Sequence, residues 1–173
     1  MMAQTNPQEP YRVLYLCSGN TCRSPMAEGI LRHLVAELDD DAPPVESLSA
    51  GTLGLSGTKA ALYSIEVCAE HGIDISGHRS RAATPELLES VDLIMALAAD
   101  HYHYALARNV PEEKVYLVRA FPSHDGQLAE LSIPDPIGGP REAYEQVFFQ
   151  IEEATRRHLQ EIVRRAREKQ KSQ

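Results

Sequence analysis

Residues 13–25, with the sequence VLYLCSGNTCRSP, constrain the fold of this chain more than any other stretch. The first four are apolar and suit a buried parallel strand, and Pro25 suits the first turn of a helix. A turn between such a strand and helix can aim backbone N–H groups at an anion near the positive end of the helix. Cys17 opens this turn and Arg23 closes it, so the spacing predicts a phosphate-binding loop that begins with a nucleophile.

Cys17 and Arg23 have the chemistry for phosphoryl transfer. A cysteine at a helix N-terminus beside an arginine favours the thiolate, which can attack phosphorus to form a phosphocysteine. Arg23 presents a planar guanidinium that can hold two phosphate oxygens at once. Ser24 can donate its hydroxyl proton to the Cys17 sulfur, and it can also cap the following helix. We therefore interpret the chain as a cysteine-dependent phosphatase.

The loop between these two residues has its own conformational needs. Gly19 allows a positive φ and a close approach of the backbone to an anion, and Asn20 is the other residue type there that tolerates the left-handed region. Cys22 has two open interpretations. It can form a reversible disulfide with Cys17 under oxidation, or it is a small residue that fills the loop.

Composition limits the class of protein. The 173 residues, 43% of them hydrophobic, suit one domain, which we place at 11–168 between tails at 1–10 and 169–173. A formal net charge of −8 argues against a nucleic-acid partner. Three cysteines, two of them in one short loop, favour a reducing compartment. The polar first ten residues do not resemble a signal peptide, and no apolar run is long enough for a membrane span. We expect a cytoplasmic monomer or weak dimer.

Apolar and helical patterns alternate along the chain. Apolar runs predict strands at 13–16, 45–49, 91–95 and 115–118. Helical patterns, with caps at several ends, predict helices at 25–38, 58–71, 84–89, 100–108 and 141–167. This alternation predicts an α/β fold, a three-layer sandwich in which helices cover both faces of a parallel sheet. Ligands of such sheets bind at the carboxyl ends of the strands, where the phosphate loop follows the first strand.

Asp135 is the candidate general acid. A phosphate ester or phosphoramidate departs poorly unless its leaving atom is protonated. Asp135 lies between Pro134 and Pro136, in an irregular stretch at 121–140 that is long enough to fold over a pocket. Asp125 is the rival candidate, but the Asp-Gly pair there indicates an ordinary turn.

Residues 17–28, CSGNTCRSPMAE, resemble the low-molecular-weight protein phosphatase family. The likeness runs from about residue 11 to about residue 163, and other matching segments lie at 49–52, 78–81, 91–95 and 135–136. It implies a single-domain phosphatase with a four-stranded parallel sheet and with no metal or cofactor. The family's thiolate, arginine and general acid would fall on Cys17, Arg23 and Asp135. Its phosphate-binding loop would comprise Ser18, Gly19, Asn20, Thr21, Cys22 and Arg23.

The resemblance also implies supporting residues and a substrate. Ser49 and His78 match positions that hydrogen-bond the loop asparagine. The family includes phosphotyrosine phosphatases, which resemble one another in a bulky aliphatic residue at the position of Thr21 and in aromatic residues after the Asp-Pro pair. Here residues 137–139 are Ile-Gly-Gly, which provide no aromatic wall for a phosphotyrosine ring. Both departures resemble the bacterial protein-arginine phosphatases, so we expect phosphoarginine in proteins to be the substrate.

Two alternatives remain open, a phosphotyrosine phosphatase and, more distantly, an arsenate reductase. The reductase would need resolving cysteines on a mobile segment, and Cys68 lies on the apolar face of a predicted helix, where a structural role is expected. His101 and His103 are two residues apart and point to different sides of a helix, so we do not expect them to share a metal ion. We expect both on the surface. Asp92 is expected to pair with an arginine, and Arg81 to be structural.

Overall fold

A parallel sheet with its first strand near the centre organises the computed structural model, which describes residues 8–173. The strands are β1 (Tyr11–Cys17), β2 (Val45–Gly51), β3 (Leu93–Ala96) and β4 (Val115–Leu117). The helices are α1 (Arg23–Ala36), α2 (Leu62–Glu70), α3 (Pro85–Ser90), α4 (Ala99–Leu106), α5 (Leu128–Leu131) and α6 (Arg141–Lys171). Within the described residues the sheet has four strands in the order β2-β1-β3-β4, all parallel. The predicted fold class is therefore confirmed.

Alternation along β1 divides the core into two layers. Val13, Tyr15 and Cys17 pack with α1, α2 and α6 on one face of the sheet. Leu14 and Leu16 pack on the other face, with α3, α4 and α5. Successive side chains of a strand point to opposite faces, so a strand segment buried on both sides is apolar, as β1 is from Val13 to Cys17. Cys17 ends the strand at the edge where the loop to α1 begins.

Most predicted element bounds agree with the structure within two residues, and three differ more. α2 begins at Leu62, because residues 58–61 form an extended connection beside the phosphate loop. The short helix α5 lies inside the stretch predicted to be irregular. α6 continues to Lys171, beyond the predicted end at residue 167.

The last turn of α6 fastens the start of β1. Lys169 Nζ donates to the backbone oxygen of Pro10 at 3.0 Å and to the Asp92 carboxylate at 2.8 Å. The predicted domain end at residue 168 therefore falls inside a helix whose next residue makes structural contacts. Residues 1–7 of the predicted N-terminal tail lie outside the described residues. In the part that is described, no helix combines the length and apolarity that a bilayer span requires.

Candidate active site

The loop after β1 turns its carbonyl oxygens outward. Four of them accept hydrogen bonds of 2.7 to 3.0 Å from surrounding segments: Thr52 N to Cys17 O, Leu53 N to Ser18 O, His78 Nε2 to Asn20 O, and Ala61 N to Thr21 O. In a trans peptide the N–H points away from the C=O of the same unit. The following N–H groups therefore face the inside of the loop, as an anion-binding cradle requires.

Asn20 is the residue that fixes this conformation. Its φ is 54°, in the left-handed region, and its side chain is fully buried. Nδ2 donates to Ser24 Oγ at 2.8 Å and to Ser49 Oγ at 3.0 Å, while Oδ1 accepts from the backbone N–H of Arg81 at 2.9 Å. Of the two loop residues that tolerate the left-handed region, it is Asn20 and not Gly19 that adopts it, and the hydrogen bonds of its amide hold it there.

Ser49, His78 and Arg81 surround the asparagine from β2 and the segment after α2. Ser49 Oγ bonds Asn20 and also donates to the Glu28 carboxylate. His78 reaches the backbone oxygen of Asn20 rather than its side chain. Arg81 Nε donates to the backbone oxygen of Ser49 at 2.8 Å, which agrees with the structural role expected for it.

Gly51, a site residue that the sequence pattern does not reveal, lies against the phosphate loop. A Cβ atom there would lie 2.7 Å from the backbone oxygen of Ser18 and 3.0 Å from Asn20 Cβ. Contacts this short would force the phosphate loop away from β2. Only glycine at this last residue of the strand therefore allows the loop to lie so close.

Cys17 and Ser24 are in hydrogen-bond contact beneath the loop. Their Sγ and Oγ atoms are 2.9 Å apart, and both residues are buried. Ser24 also accepts from Asn20, which leaves its own hydroxyl proton for the sulfur. Ser24 is the second residue of α1, and Cys22 occupies the N-cap position, so the helix-cap alternative for Ser24 is wrong.

Arg23 joins the loop to the segment that carries Asp135. Nη1 donates to the backbone oxygen of Ile133 at 3.0 Å, and Nη2 lies 3.1 Å from Asp135 Oδ2. The Arg23 side chain is only 5% exposed, whereas that of Asp135 is 40% exposed. Asp135 Oδ1 accepts from the backbone N–H of Ile137 at 3.2 Å. The predicted clamp and the predicted acid thus face each other across the loop.

A cavity of about 210 Å³ lies between these groups. Cys17, Arg23 and Asp135 contribute to its walls, together with Ser18, Gly19, Thr21, Cys22, Leu53, Leu55 and Ile137. Leu53, Leu55 and Ile137 are 69%, 45% and 67% exposed, so an aliphatic rim surrounds a polar floor. The rival acid Asp125 is not among these lining residues and forms a local turn with Ser123.

Cys22 is close to an aromatic hydroxyl from the last helix. Its Sγ lies 3.8 Å from the hydroxyl oxygen of Tyr144 and 3.7 Å from Thr21 Oγ1. Burial raises the pKa of the Cys22 thiol. Burial likewise raises the pKa of the Cys68 thiol, to about 12, and Cys68 is fully enclosed in α2, as its structural interpretation predicts.

His101 is enclosed beside the phosphate loop. The prediction that it lies on the surface is wrong: its side chain is fully buried, and Nε2 is 3.0 Å from Ser18 Oγ in the loop. Its companion His103 is exposed, as expected. The arginine partner of Asp92 is Arg12, which bonds the carboxylate through its backbone N–H, and the charged partner is Lys169.

The fold and these contacts define a class of protein. A buried cysteine at the end of a central parallel strand opens an anion-binding loop, an arginine six residues later closes it, and a carboxylate faces the arginine. This is the arrangement of a cysteine-dependent phosphatase on a three-layer α/β fold.

Comparison with known proteins narrows the class. A family model described as low molecular weight phosphotyrosine protein phosphatase matches residues 12–170. The protein-arginine-phosphatase of Geobacillus stearothermophilus is 34% identical over 146 residues, which cover 83% of this chain and 90% of that protein. The low molecular weight protein-tyrosine-phosphatase Etp of Escherichia coli K12 is 33% identical over 153 residues, covering 88% and 95%.

A solved structure supports the same assignment. A mutant of the arginine phosphatase YwlE with a phosphorylated active-site serine has a TM-score of 0.75 at 28% identity, covering 87% of this chain and 95% of that chain. The chain therefore belongs to the low molecular weight phosphotyrosine protein phosphatase family, and it is a protein phosphatase.

Proposed function

We propose that this phosphatase hydrolyses phosphoarginine in proteins through a phosphocysteine intermediate. The observation that carries the substrate assignment is the composition of the cavity wall. No aromatic side chain is among the residues that line the cavity in the described part of the chain. Thr21, a small polar residue, occupies the loop position that would pack on a phenyl ring. An aromatic wall would stack on a ring substrate, whereas a carboxylate and a hydroxyl such as those of Asp135 and Thr21 can hydrogen-bond a guanidinium.

In the first step the Cys17 sulfur attacks phosphorus. An S–P bond forms while the P–N bond of phosphoarginine breaks, and Asp135 in its acid form gives its proton to the departing nitrogen. Arg23 and the inward N–H groups of the loop bind the phosphoryl oxygens. Phosphate bound to Arg23 would take over the guanidinium donors that Asp135 and Ile133 occupy here.

In the second step water releases the phosphate. Asp135, now a carboxylate, takes a proton from the attacking water, and the S–P electron pair returns to sulfur. The Ser24 hydroxyl, 2.9 Å from the sulfur, stabilises the departing thiolate by donating to it. A phosphorylated active-site residue is named for the mutant YwlE structure, which supports a phosphoenzyme route in this chain as well.

The test is kcat/KM on peptides of matched sequence that carry phosphoarginine or phosphotyrosine, with Cys17→Ser as the control for contaminating activity. We expect at least a tenfold preference for the phosphoarginine peptide, about 1.4 kcal/mol in transition-state binding. A preference for phosphotyrosine would assign the chain to the tyrosine branch and refute the argument from the cavity wall.

Phosphotyrosine is the second candidate, because the tyrosine phosphatase Etp and the arginine phosphatase are equally similar to this chain. Arsenate reduction is disfavoured by Cys68, which is fully buried in α2 and is not among the residues that line the cavity. Arsenate-dependent consumption of thiols, with no phosphatase activity, would reverse this order.

The cellular setting is part of the same proposal. A phosphorylated protein is the partner, and the three free cysteines suit the reducing cytoplasm. We propose a monomer or weak dimer that needs no nucleic acid, membrane, metal or cofactor. Sedimentation at micromolar concentration tests the assembly state, and a stable dimer would contradict the proposal. Activity in excess chelator tests the metal independence, and a loss of activity would contradict it.

A further inference from the structure

His101 is a buried titratable group that the proposed reaction does not use. It lies in the first turn of α4, and its side chain is fully enclosed. Nε2 is 3.0 Å from Ser18 Oγ and 3.6 Å from Asp100 Oδ2. Nδ1 is buried and has no hydrogen-bond partner among the described residues. A histidine enclosed against the phosphate loop calls for a role.

The surroundings select one form of the imidazole. Burial and the charge of Arg23 lower the pKa of His101 to about 4, although the carboxylates of Asp100 and Asp135 oppose this, so the ring is neutral at pH 7. A neutral imidazole has one N–H. A buried N–H without a partner is rarer than a buried acceptor without one. The proton therefore belongs on Nε2, beside the Asp100 carboxylate and Ser18 Oγ, and the unpaired Nδ1 is an acceptor.

This tautomer decides what Ser18 can do. With Nε2 protonated, Ser18 Oγ accepts from His101 and, at 3.4 Å, from Arg23 Nη2. Both lone pairs of the oxygen are then in use, and the hydroxyl proton is free. With the other tautomer, the Ser18 proton would go to Nε2 and Ser18 Oγ would present only a lone pair to a phosphate. Ser18 lines the cavity beside Arg23, where a phosphoryl oxygen binds.

We propose that His101 is a positioning residue for the phosphatase reaction: it donates to Ser18 Oγ and so directs the Ser18 hydroxyl proton at the bound phosphoryl group. Ser18 thereby becomes a donor of the site, in addition to the backbone N–H groups and Arg23. The inference rests on the proposed phosphatase chemistry but not on the preference for phosphoarginine.

The experiment compares two amides at position 101, assayed with p-nitrophenyl phosphate and with inorganic phosphate as inhibitor. The amide nitrogen of Gln reaches the position of Nε2, whereas that of Asn reaches only Nδ1. We expect His101→Asn to lower kcat/KM about tenfold and weaken phosphate inhibition similarly, and His101→Gln to stay within about threefold of the native chain. His103→Gln, on the exposed side of the same helix, is the matched control. A folded His101→Gln that is as impaired as His101→Asn would overturn the proposal.

A double-mutant cycle with Ser18→Ala separates positioning from a purely structural role. If His101 acts through the Ser18 hydroxyl, His101→Asn should cost almost nothing further once that hydroxyl is gone. An equal loss in both backgrounds would show that the histidine only supports packing.

Nitrogen-15 NMR of histidine-labelled native protein at pH 7 tests the tautomer without any substitution. We expect His101 to carry its proton on Nε2, and a proton on Nδ1 would overturn the proposal even if the variants fail to fold. A native chain that hydrolyses neither p-nitrophenyl phosphate nor the phosphopeptides would refute the proposed function, while the NMR result would still decide the hydrogen bond.

Discussion

The phosphate loop and the segment that carries Asp135 face each other across one cavity, yet they are held in different ways. Four segments bind the loop: β2, the start of α1, and the connections on either side of α2. The Asp135 segment is anchored at the buried Ile133, which bonds Leu97 and Arg23, and beyond that residue its bond to the site is the Arg23–Asp135 pair, whose acid is 40% exposed. The anion site is thus fixed before substrate arrives, whereas the acid has room to adjust to the leaving group.

This difference has a physical reason. A cradle of N–H groups stabilises a phosphoryl group only if its dipoles are already oriented, because reorientation during the reaction would cost the energy gained. A general acid needs only to reach one proton acceptor, at a position that varies with the substrate. The rigid loop therefore serves phosphate binding, and the adjustable acid serves proton transfer.

Asp135→Asn gives the largest expected effect and tests the proton-transfer side. We expect kcat for phosphoarginine peptides to fall about 10² to 10⁴-fold, the usual contribution of a general acid. Binding of orthovanadate should change little, because the phosphate loop is untouched, and both are measured by steady-state kinetics and inhibition. Asp125→Asn is the control. A loss of vanadate binding as large as the loss of kcat would break the division between the two regions.

Asn20→Ala tests the rigid side. It removes three side-chain hydrogen bonds of a buried amide and leaves alanine at a φ of 54°, so we expect a loss of about 2 to 4 kcal/mol in the free energy of unfolding. Phosphate inhibition should weaken in parallel. Denaturant unfolding gives the first quantity and inhibition kinetics the second.

Asn109→Ala is a matched control for that variant. Asn109 also has a positive φ, of 59°, but it is exposed on a loop after α4. It should show only the backbone part of the cost, about 1 kcal/mol. Equal losses for the two variants would mean that the Asn20 network adds nothing to loop stability.

The pH dependence of stability tests how His101 is held between the phosphate loop and α4. The pKa of His101 is lowered from its usual 6.5 to about 4 by burial, so the unfolded chain binds this proton first as pH falls. Stability from this group is intact above pH 6.5 and is lost progressively toward pH 4, by about 2 kcal/mol between pH 7 and pH 5. Denaturant unfolding at both pH values should show a smaller loss in His101→Gln than in the control His103→Gln. Equal losses would contradict this assignment.

Thr21→Ile gives the smallest expected effect and concerns the cavity wall. An aliphatic side chain at this position packs on an aromatic ring and removes a hydroxyl suited to a guanidinium. We expect the ratio of kcat/KM for phosphoarginine over phosphotyrosine to fall about tenfold, with stability nearly unchanged. Thr21→Ser, which keeps the hydroxyl, should retain most of the ratio, and no change in Thr21→Ile would remove Thr21 from the selectivity argument.

Much of the site can be predicted from the sequence, because its core is local. Cys17, Arg23 and Ser24 lie within eight residues, and the strand–loop–helix connection alone brings them together. The fold class can be predicted as well, because apolar strand patterns such as residues 13–16 of β1 alternate with helical patterns along the chain. Even the helix periodicity is correct at α4: it separates the faces of His101 and His103.

The sequence does not reveal which face of α4 packs against the core. His101 meets Ser18 across 83 residues of chain, a contact that depends on how α4 packs against the end of the sheet. The left-handed conformation of Asn20 cannot be predicted from the loop sequence for the same reason, because the hydrogen bonds that hold it come from the distant residues Ser49 and Arg81. The need for Gly51 likewise appears only when β2 is seen beside the loop.

The contacts of α6 also set an order of events during synthesis. This helix follows every other described element, and it supplies both Tyr144 beside Cys22 and Lys169 on Pro10 and Asp92. Contacts between distant parts of a chain form late, because closing the long loop between them costs chain entropy before the contact stabilises the fold. A nascent chain therefore holds Cys17 and Cys22 in an incomplete core until α6 has left the ribosome. We expect phosphatase activity to appear only when the whole of this helix is free to pack, and not gradually as the chain grows.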